Sequence, residues 1–247
     1  MGKGGIIAIV IVVIVLVAAV WLGLGFALGR ADGPVTSDDR QVSGFSRVEV
    51  SGAGTVVLTT GEQAALRIEG PQDALERIDV TVDGDTLRIG QRWNWLRFGP
   101  FWDMGDITYY VSLPSLAGIE LSGAVAAQSR TTVAGDELII DASGSSEVDL
   151  DVEVGRLSID TSGSSDITLW GKAEDASYDA SGSTSIKALD LRSRTATIHC
   201  SGSSDIEVNV SEHLTVDASG SSDISYLGDP TLDSDISGSG GVEKLQE

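Results

Sequence analysis

The residues with the most chemical promise are serines, aspartates and one histidine gathered in a phrase that returns six times. The copies are DASGSSEV (Asp141 to Val148), DTSGSSDI (Asp160 to Ile167), DASGSTSI (Asp179 to Ile186), HCSGSSDI (His199 to Ile206), DASGSSDI (Asp217 to Ile224) and DISGSGGV (Asp235 to Val242). A serine nucleophile needs a base beside it, and the chain holds only His199 and His213. His199 takes a slot that the other copies give to aspartate, so it reads as a surface substitution that relieves stacked like charges. A carbohydrate lyase would need a basic and acidic cluster in a groove, and these lysine-poor repeats show none. Cys200 shares its slot with Ala142, Thr161, Ala180, Ala218 and Ile236 and reads as core, and a single cysteine excludes an internal disulfide framework. No catalytic residue and no cofactor are expected, and the chain is not read as an enzyme.

Cation binding is the next chemistry to weigh. One outward column carries Asp141, Asp160, Asp179, His199, Asp217 and Asp235, and a second carries Glu147, Asp166, Ser185, Asp205, Asp223 and Gly241. Glycine and aspartate invite comparison with calcium-binding β-rolls, but the period here is near 19, and the GGxGxDxUx phrase is absent. A calcium ion takes about six to eight oxygen ligands, more than the two carboxylates flanking one turn supply. No metal site is assigned, and any calcium binding is expected to be weak. A different candidate is aromatic. Residues 91–106, QRWNWLRFGPFWDMGD, bring together Trp93, Trp95, Phe98, Phe101 and Trp102. These form either an exposed contact patch for carbohydrate, protein or the bilayer interface, or a loop folded over an open end of the body.

The element that positions all these groups is a repeat. Ser143, Ser162, Ser181, Ser201, Ser219 and Ser237 are spaced by 19, 19, 20, 18 and 18 residues, and Ser122 lies 21 upstream of the first. Periods near 20 mark a stacked array. Apolar residues alternate on both sides of each SGSS turn, giving inward columns Leu138, Leu157, Ala176, Ala196, Leu214, Leu232 and Val148, Ile167, Ile186, Ile206, Ile224, Val242. A unit this short cannot bury its own apolar face, whereas stacked coils make one continuous core. The fold class is therefore all-β: a parallel β-solenoid with ~20-residue coils, its six repeats about 29 Å long at the ~4.8 Å strand spacing. The corner glycines are expected to hold a backbone conformation that only glycine adopts cheaply. The serines are expected to satisfy corner backbone groups that lack ladder partners and to bond the serine of the next coil.

Upstream, RVEV, TVVLTT, ALRIE, IDVTV and TLRI read as strands between Gly44 and Leu121, with Asp83-Gly84-Asp85 as a hairpin turn. ITYYVSLP (Ile107 to Pro114) resumes strand character before the array. From Ile6 to Leu28 the chain is free of charge and long enough to span a bilayer of roughly 30 Å. Residues 1–30 are accordingly expected to form one N-terminal transmembrane helix, or else a signal peptide. Residues 31–43 are expected to be a linker, and 44–247 the solenoid, with an irregular first part over 44–121 and the repeats over 122–247. Lys3 before the helix and aspartates after it place the body in the periplasm or cell exterior, membrane-anchored, or secreted if the segment is cleaved. A formal net charge of -21, with 37 acidic residues against 16 Lys and Arg, excludes a nucleic-acid surface.

GFSRVEVSGAGTVVLTTG, DVTVDGDTLRIG, ITYYVSLPSLAGIELSGAV and the repeated SGSSDI, in that order over Gly44 to Val242, resemble the head GIN domain family of auto-transporter adhesins. The resemblance implies an envelope-associated β-solenoid without established enzymatic residues. Two functions stay open: an adhesive, binding or structural module, and an envelope sensor or scaffold acting through a membrane protein partner. The expected partners are an envelope protein or carbohydrate and the membrane itself, with homo-oligomerisation possible.

Overall fold

A computed structural model describes residues 34–91 and 106–246. The expected anchor over 1–30 and the aromatic residues Trp93, Trp95, Phe98, Phe101 and Trp102 lie outside the described residues. Within them, no helix is long and apolar enough to cross a membrane.

The repeats form a parallel β-solenoid. Its strands are β7 (Gly118–Ser129), β8 (Val133–Gly144), β9 (Glu147–Gly163), β10 (Asp166–Gly182), β11 (Ser185–Gly202), β12 (Asp205–Gly220), β13 (Asp223–Leu227), β14 (Thr231–Gly238) and β15 (Gly241–Lys244). Register follows the sequence repeat: Leu138 pairs with Leu157, Leu157 with Ala176, Ala176 with Ala196, Ala196 with Leu214 and Leu214 with Leu232. Like residues stack because a period-2 strand cannot slip by one position without turning its whole apolar set outward. Tyr178 stands in the column of Ile140, Ile159, Ile198 and Val216 and is buried like them. In the neighbouring column leucine gives way to alanine at Ala176 and Ala196, the rungs that hold Tyr178 and Ile198.

The corner behaves differently from expectation. The ladder runs through it: the Ser164 N–H donates to the Gly144 carbonyl at 2.8 Å, and the Asp166 N–H to the Ser146 carbonyl at 2.9 Å. The same two bonds recur at the next corners, from Ser183 to Gly163 and from Ser185 to Ser165. Stacking so close explains the glycines. Gly163 has φ +101°, and a Cβ there would lie 2.5 Å from the Gly144 carbonyl oxygen. With the backbone already paired, the hydroxyls of Ser143, Ser146, Ser181, Ser219 and Ser222 bond spare carbonyl lone pairs instead of sister serines, while those of Ser165 and Ser204 have no partner among the described residues. Ser143 Oγ donates to the Leu121 carbonyl at 3.2 Å, Ser181 Oγ to the Thr161 carbonyl at 3.3 Å and Ser146 Oγ to the Ser143 carbonyl at 3.0 Å.

The irregular first part is the beginning of the same solenoid, threaded out of order. RVEV and TVVLTT are one strand, β2 (Arg47–Thr60), bent at Gly52 and Gly54, whose φ angles are positive. β2 lies beside β7, with Ser51 opposite Ser122 and Gly52 opposite Gly123, so it already contains the corner. On its other side lie β5 (Thr86–Gln91) and β6 (Thr108–Leu113), also parallel to it. The chain thus builds the second rung, leaves, lays down the outermost rung and returns to the third. The excursion makes a cap. β3 (Ala65–Pro71) runs antiparallel to β6, the one-turn helix α1 (Gln72–Leu75) follows Pro71, and β4 (Ile78–Asp83) runs antiparallel to β5. The turn at Gly84 (φ +63°) joins β4 to β5 as a two-residue hairpin, as expected. Part of the expected linker belongs to this cap, because β1 (Val35–Arg40) pairs antiparallel with β3 from Val35 opposite Pro71 to Arg40 opposite Leu66. The unbroken polar run after Val35 in VTSDDR conceals it as a strand, since an edge strand exposed to water needs no apolar face.

Candidate functional site

Two outward acidic columns flank the row of SGSS corners. Asp141, Asp160, Asp179, His199, Asp217 and Asp235 are successive ladder partners, and so are Glu147, Asp166, Ser185, Asp205 and Asp223. The coil positions both columns through its alternation, with Ile140, Tyr178 and Ile198 driven inward on one side and Ile167 and Ile186 on the other. Between the aspartate column and the corner serines runs a shallow groove of about 360 Å³, lined among others by Asp160, Asp179, Ser181, His199 and Asp217.

Charges on this edge are largely unpaired with cations, whereas those on the return stretch of the coil are balanced across rungs. Lys172 meets Glu153 at 2.7 Å, Arg156 meets Glu137 at 3.4 Å, and Arg194 bridges Asp175 at 2.8 Å and Glu212 at 3.3 Å. On the acidic edge, His199 Nδ1 stands 4.0 Å from Asp217 Oδ2, beyond hydrogen-bond reach. Partial burial of the Asp141 carboxyl, reinforced by repulsion from Asp160, pushes its pKa up, while Arg47 pulls the other way. These features make the edge repel anions, and they place His199 in the ladder as the sequence suggests.

Cys200 is core. Burial pushes its thiol up, Ser222 opposes this by hydrogen bonding, and Asp217 adds to the rise. A thiol held protonated in this way is a poor nucleophile. Among the described residues no group of three or more His, Cys, Asp or Glu is arranged to hold a metal ion.

Gln91 and Ile107 are both tied to β2 near its corner. Gln91 ends β5, and its Nε2 donates to the Ala53 carbonyl at 2.6 Å and to the Tyr109 hydroxyl at 3.1 Å; its Oε1 accepts from the Ala53 N–H at 3.2 Å. At the other flank the Ile107 carbonyl accepts the Thr55 N–H at 2.8 Å. Both flanks therefore sit where other rungs have their corner.

Sequence reasoning missed two features of possible function. Trp170 is 37% exposed, in a slot where its ladder neighbours are Asp151 and Asp190. Beside it the register breaks, between Thr168 and Trp170 against β11 and again from Ala188 to Arg192 against β12. The change of serine spacing from 19 to 20 and then 18 was the available signal.

A profile of the family described as "Putative auto-transporter adhesin, head GIN domain" matches residues 44–230. Solved structures share the fold. A "putative adhesin" from Bacteroides fragilis superposes with a TM-score of 0.81 at 23% identity, covering 87% of this chain and 99% of its own. A "Putative lipid binding protein" from Parabacteroides distasonis gives 0.69 at 20% identity, covering 88% and 99%. A "putative adhesin" from Parabacteroides merdae gives 0.59 at 17% identity, covering 88% and 98%. No curated protein matches the chain.

Proposed function

The chain belongs to the head GIN domain family, and from that premise we propose that it is a non-catalytic adhesive or binding module, tethered outside the cell membrane by residues 1–30. The observation that carries this reading is the continuous, periodic corner edge. Its two outward acidic columns repeat in register from rung to rung, so the edge presents repeated polar contact groups along the stack of coils. A reaction centre needs groups converging on one atom, while adhesion is served by many equivalent contacts.

Trp93, Trp95, Phe98, Phe101 and Trp102 are proposed as a contact patch of the module. What supports this is the anchoring of both flanks at the end of the edge. The proposed partners are an envelope protein or a carbohydrate. One relative is titled a lipid binding protein. In this chain the inward columns are filled by fully buried side chains such as Leu150, Ile167, Ile186 and Ile206, so a lipid would have to lie on the outside.

The test uses the full chain. Membranes containing it are washed with carbonate to measure tethering, and beads carrying it are offered to isolated cell envelopes. Retention with Met1 present and bead adhesion lost on replacing Trp93, Trp95 and Trp102 by alanine are expected. Release by carbonate overturns the tether, and failure of the beads to adhere overturns the adhesive role.

A further inference from the structure

The register break beside Trp170 lies in a second furrow, away from the acidic edge. Its cavity of about 540 Å³ runs from Thr132 past Asp151, Lys172 and Asp190 to Asn209 and Leu227. These residues follow five ladder steps, roughly 24 Å at the ~4.8 Å spacing of strands. β-Bulges that re-aim side chains are over-represented at functional sites, and here the irregular stretch of β11 is secured to β12. Asn209 Nδ2 donates to the Leu189 carbonyl at 3.1 Å, Ser193 Oγ to the Asn209 carbonyl at 2.9 Å, and Ser211 Oγ to the Ser193 carbonyl at 3.2 Å.

We propose that this furrow binds an extended, uncharged polysaccharide chain, with Trp170 as its stacking platform and Asp151 and Asp190 as acceptors for sugar hydroxyls. The proposal rests on the reading of the chain as a binding module. Trp170 does not itself line the cavity, but it is 37% exposed and its ladder partners on either side, Asp151 and Asp190, both do. An indole ring offers a flat apolar face to the C–H face of a sugar. Ionised carboxylates beside it accept hydroxyl protons in charge-assisted bonds. Charge selects against other polymers. Lys172 is engaged by Glu153 at 2.7 Å, and the Thr132 hydroxyl already donates to Asp151 at 2.6 Å. Acidic and basic side chains in the furrow nearly balance, and the chain's net charge of -21 repels anionic glycans and nucleic acids.

The experiment measures binding of cellohexaose, mannohexaose and chitohexaose to the full chain in detergent, by calorimetry and tryptophan fluorescence, with polygalacturonate and a basic peptide as comparators. At least one neutral hexasaccharide is expected to bind. Trp170→Ala should weaken it at least tenfold without lowering the melting temperature, Trp170→Phe should restore part of the loss, and Glu62→Ala, at an exposed position between β2 and β3, should leave it unchanged. Absence of binding by all three, binding indifferent to Trp170→Ala, or a preference for the peptide or polygalacturonate overturns the proposal. Bead adhesion separates the two readings. Adhesion untouched by Trp170→Ala, with no hexasaccharide bound, leaves the adhesive module standing without this furrow; hexasaccharide binding at Trp170 with no adhesion does the reverse.

Discussion

The two ends of the described solenoid treat the same problem in opposite ways. At the N-terminal end the outermost rung is as buried as the middle of the rod: Leu87 of β5 is 0% exposed, because β4, α1 and β3 fold around the end and bury Leu66, Ala74, Leu75 and Ile78 with it. At the other end all of β14 is exposed. Leu232 is 38% exposed, although its ladder partner Leu214 is 0%. A coil in a stacked array buries its apolar face only against neighbours, so the terminal rung is no more stable than whatever covers it. Chain threaded out of order at the first end provides that cover.

The largest test of this comparison is in the middle, where neighbours lie on both sides. Ile198→Asp places an unpaired carboxylate in the core and should cost more than about 4 kcal/mol, abolishing a cooperative melt. His199→Ala, one residue along and facing water, should stay within about 0.5 kcal/mol of the parent by thermal denaturation. Equal melting temperatures would mean that the faces are assigned backwards.

Next come the ends themselves. Leu75→Ala in the cap should cost about 2–4 kcal/mol, while Leu232→Ala on the open rung should cost under about 1 kcal/mol, both read from denaturant melts. If Leu232→Ala cost as much as Leu75→Ala, the last rung would be covered in solution and the contrast between the ends would vanish.

Smaller effects separate the acidic edge from the ion-paired stretch. Asp141 has a folded pKa above its unfolded value, so the native state binds a proton more readily and the charged form is penalised at neutral pH. Asp141→Asn should therefore raise stability by a few tenths of a kcal/mol at pH 7. The gain should fade as pH falls through the carboxylate range, where the parent protonates and loses the penalty. A gain that grew on acidification would contradict this assignment. Smallest of all, calcium should raise the melting temperature only slightly, since Ser185 and Gly241 interrupt one ladder and His199 the other. Unfolding upon chelation would overturn the structural reading of both.

Much of the architecture was legible because each coil repeats one solution. The columns of Leu138 and Val148 and the slot of Cys200 could be assigned from alternation and spacing, and register and burial agree except on the last rung, where Leu232 and Ile236 are exposed. The first part was only partly legible. VEVSGAG and IELSGAV share the corner phrase, but β3 to β6 intervene between them, so neither periodicity nor proximity in sequence shows that they are adjacent rungs. Trp170 could be seen as a residue but not as a site, because its exposure depends on the ladder partners Asp151 and Asp190.

Sequence alone determined the stacked, all-β character of this protein, since a short unit of alternating residues can bury its apolar side only against copies of itself. It also determined the acidic charge and the positions of the corner glycines. Tertiary structure decided the order of the first rungs, the antiparallel cap that includes β1, and the corner ladder that leaves the serines free to bond carbonyls. These are pairings between segments far apart in the chain, and many registers satisfy the local alternation. Only the simultaneous burial of Leu66, Leu75, Ile78 and Leu87 at one end selects among them.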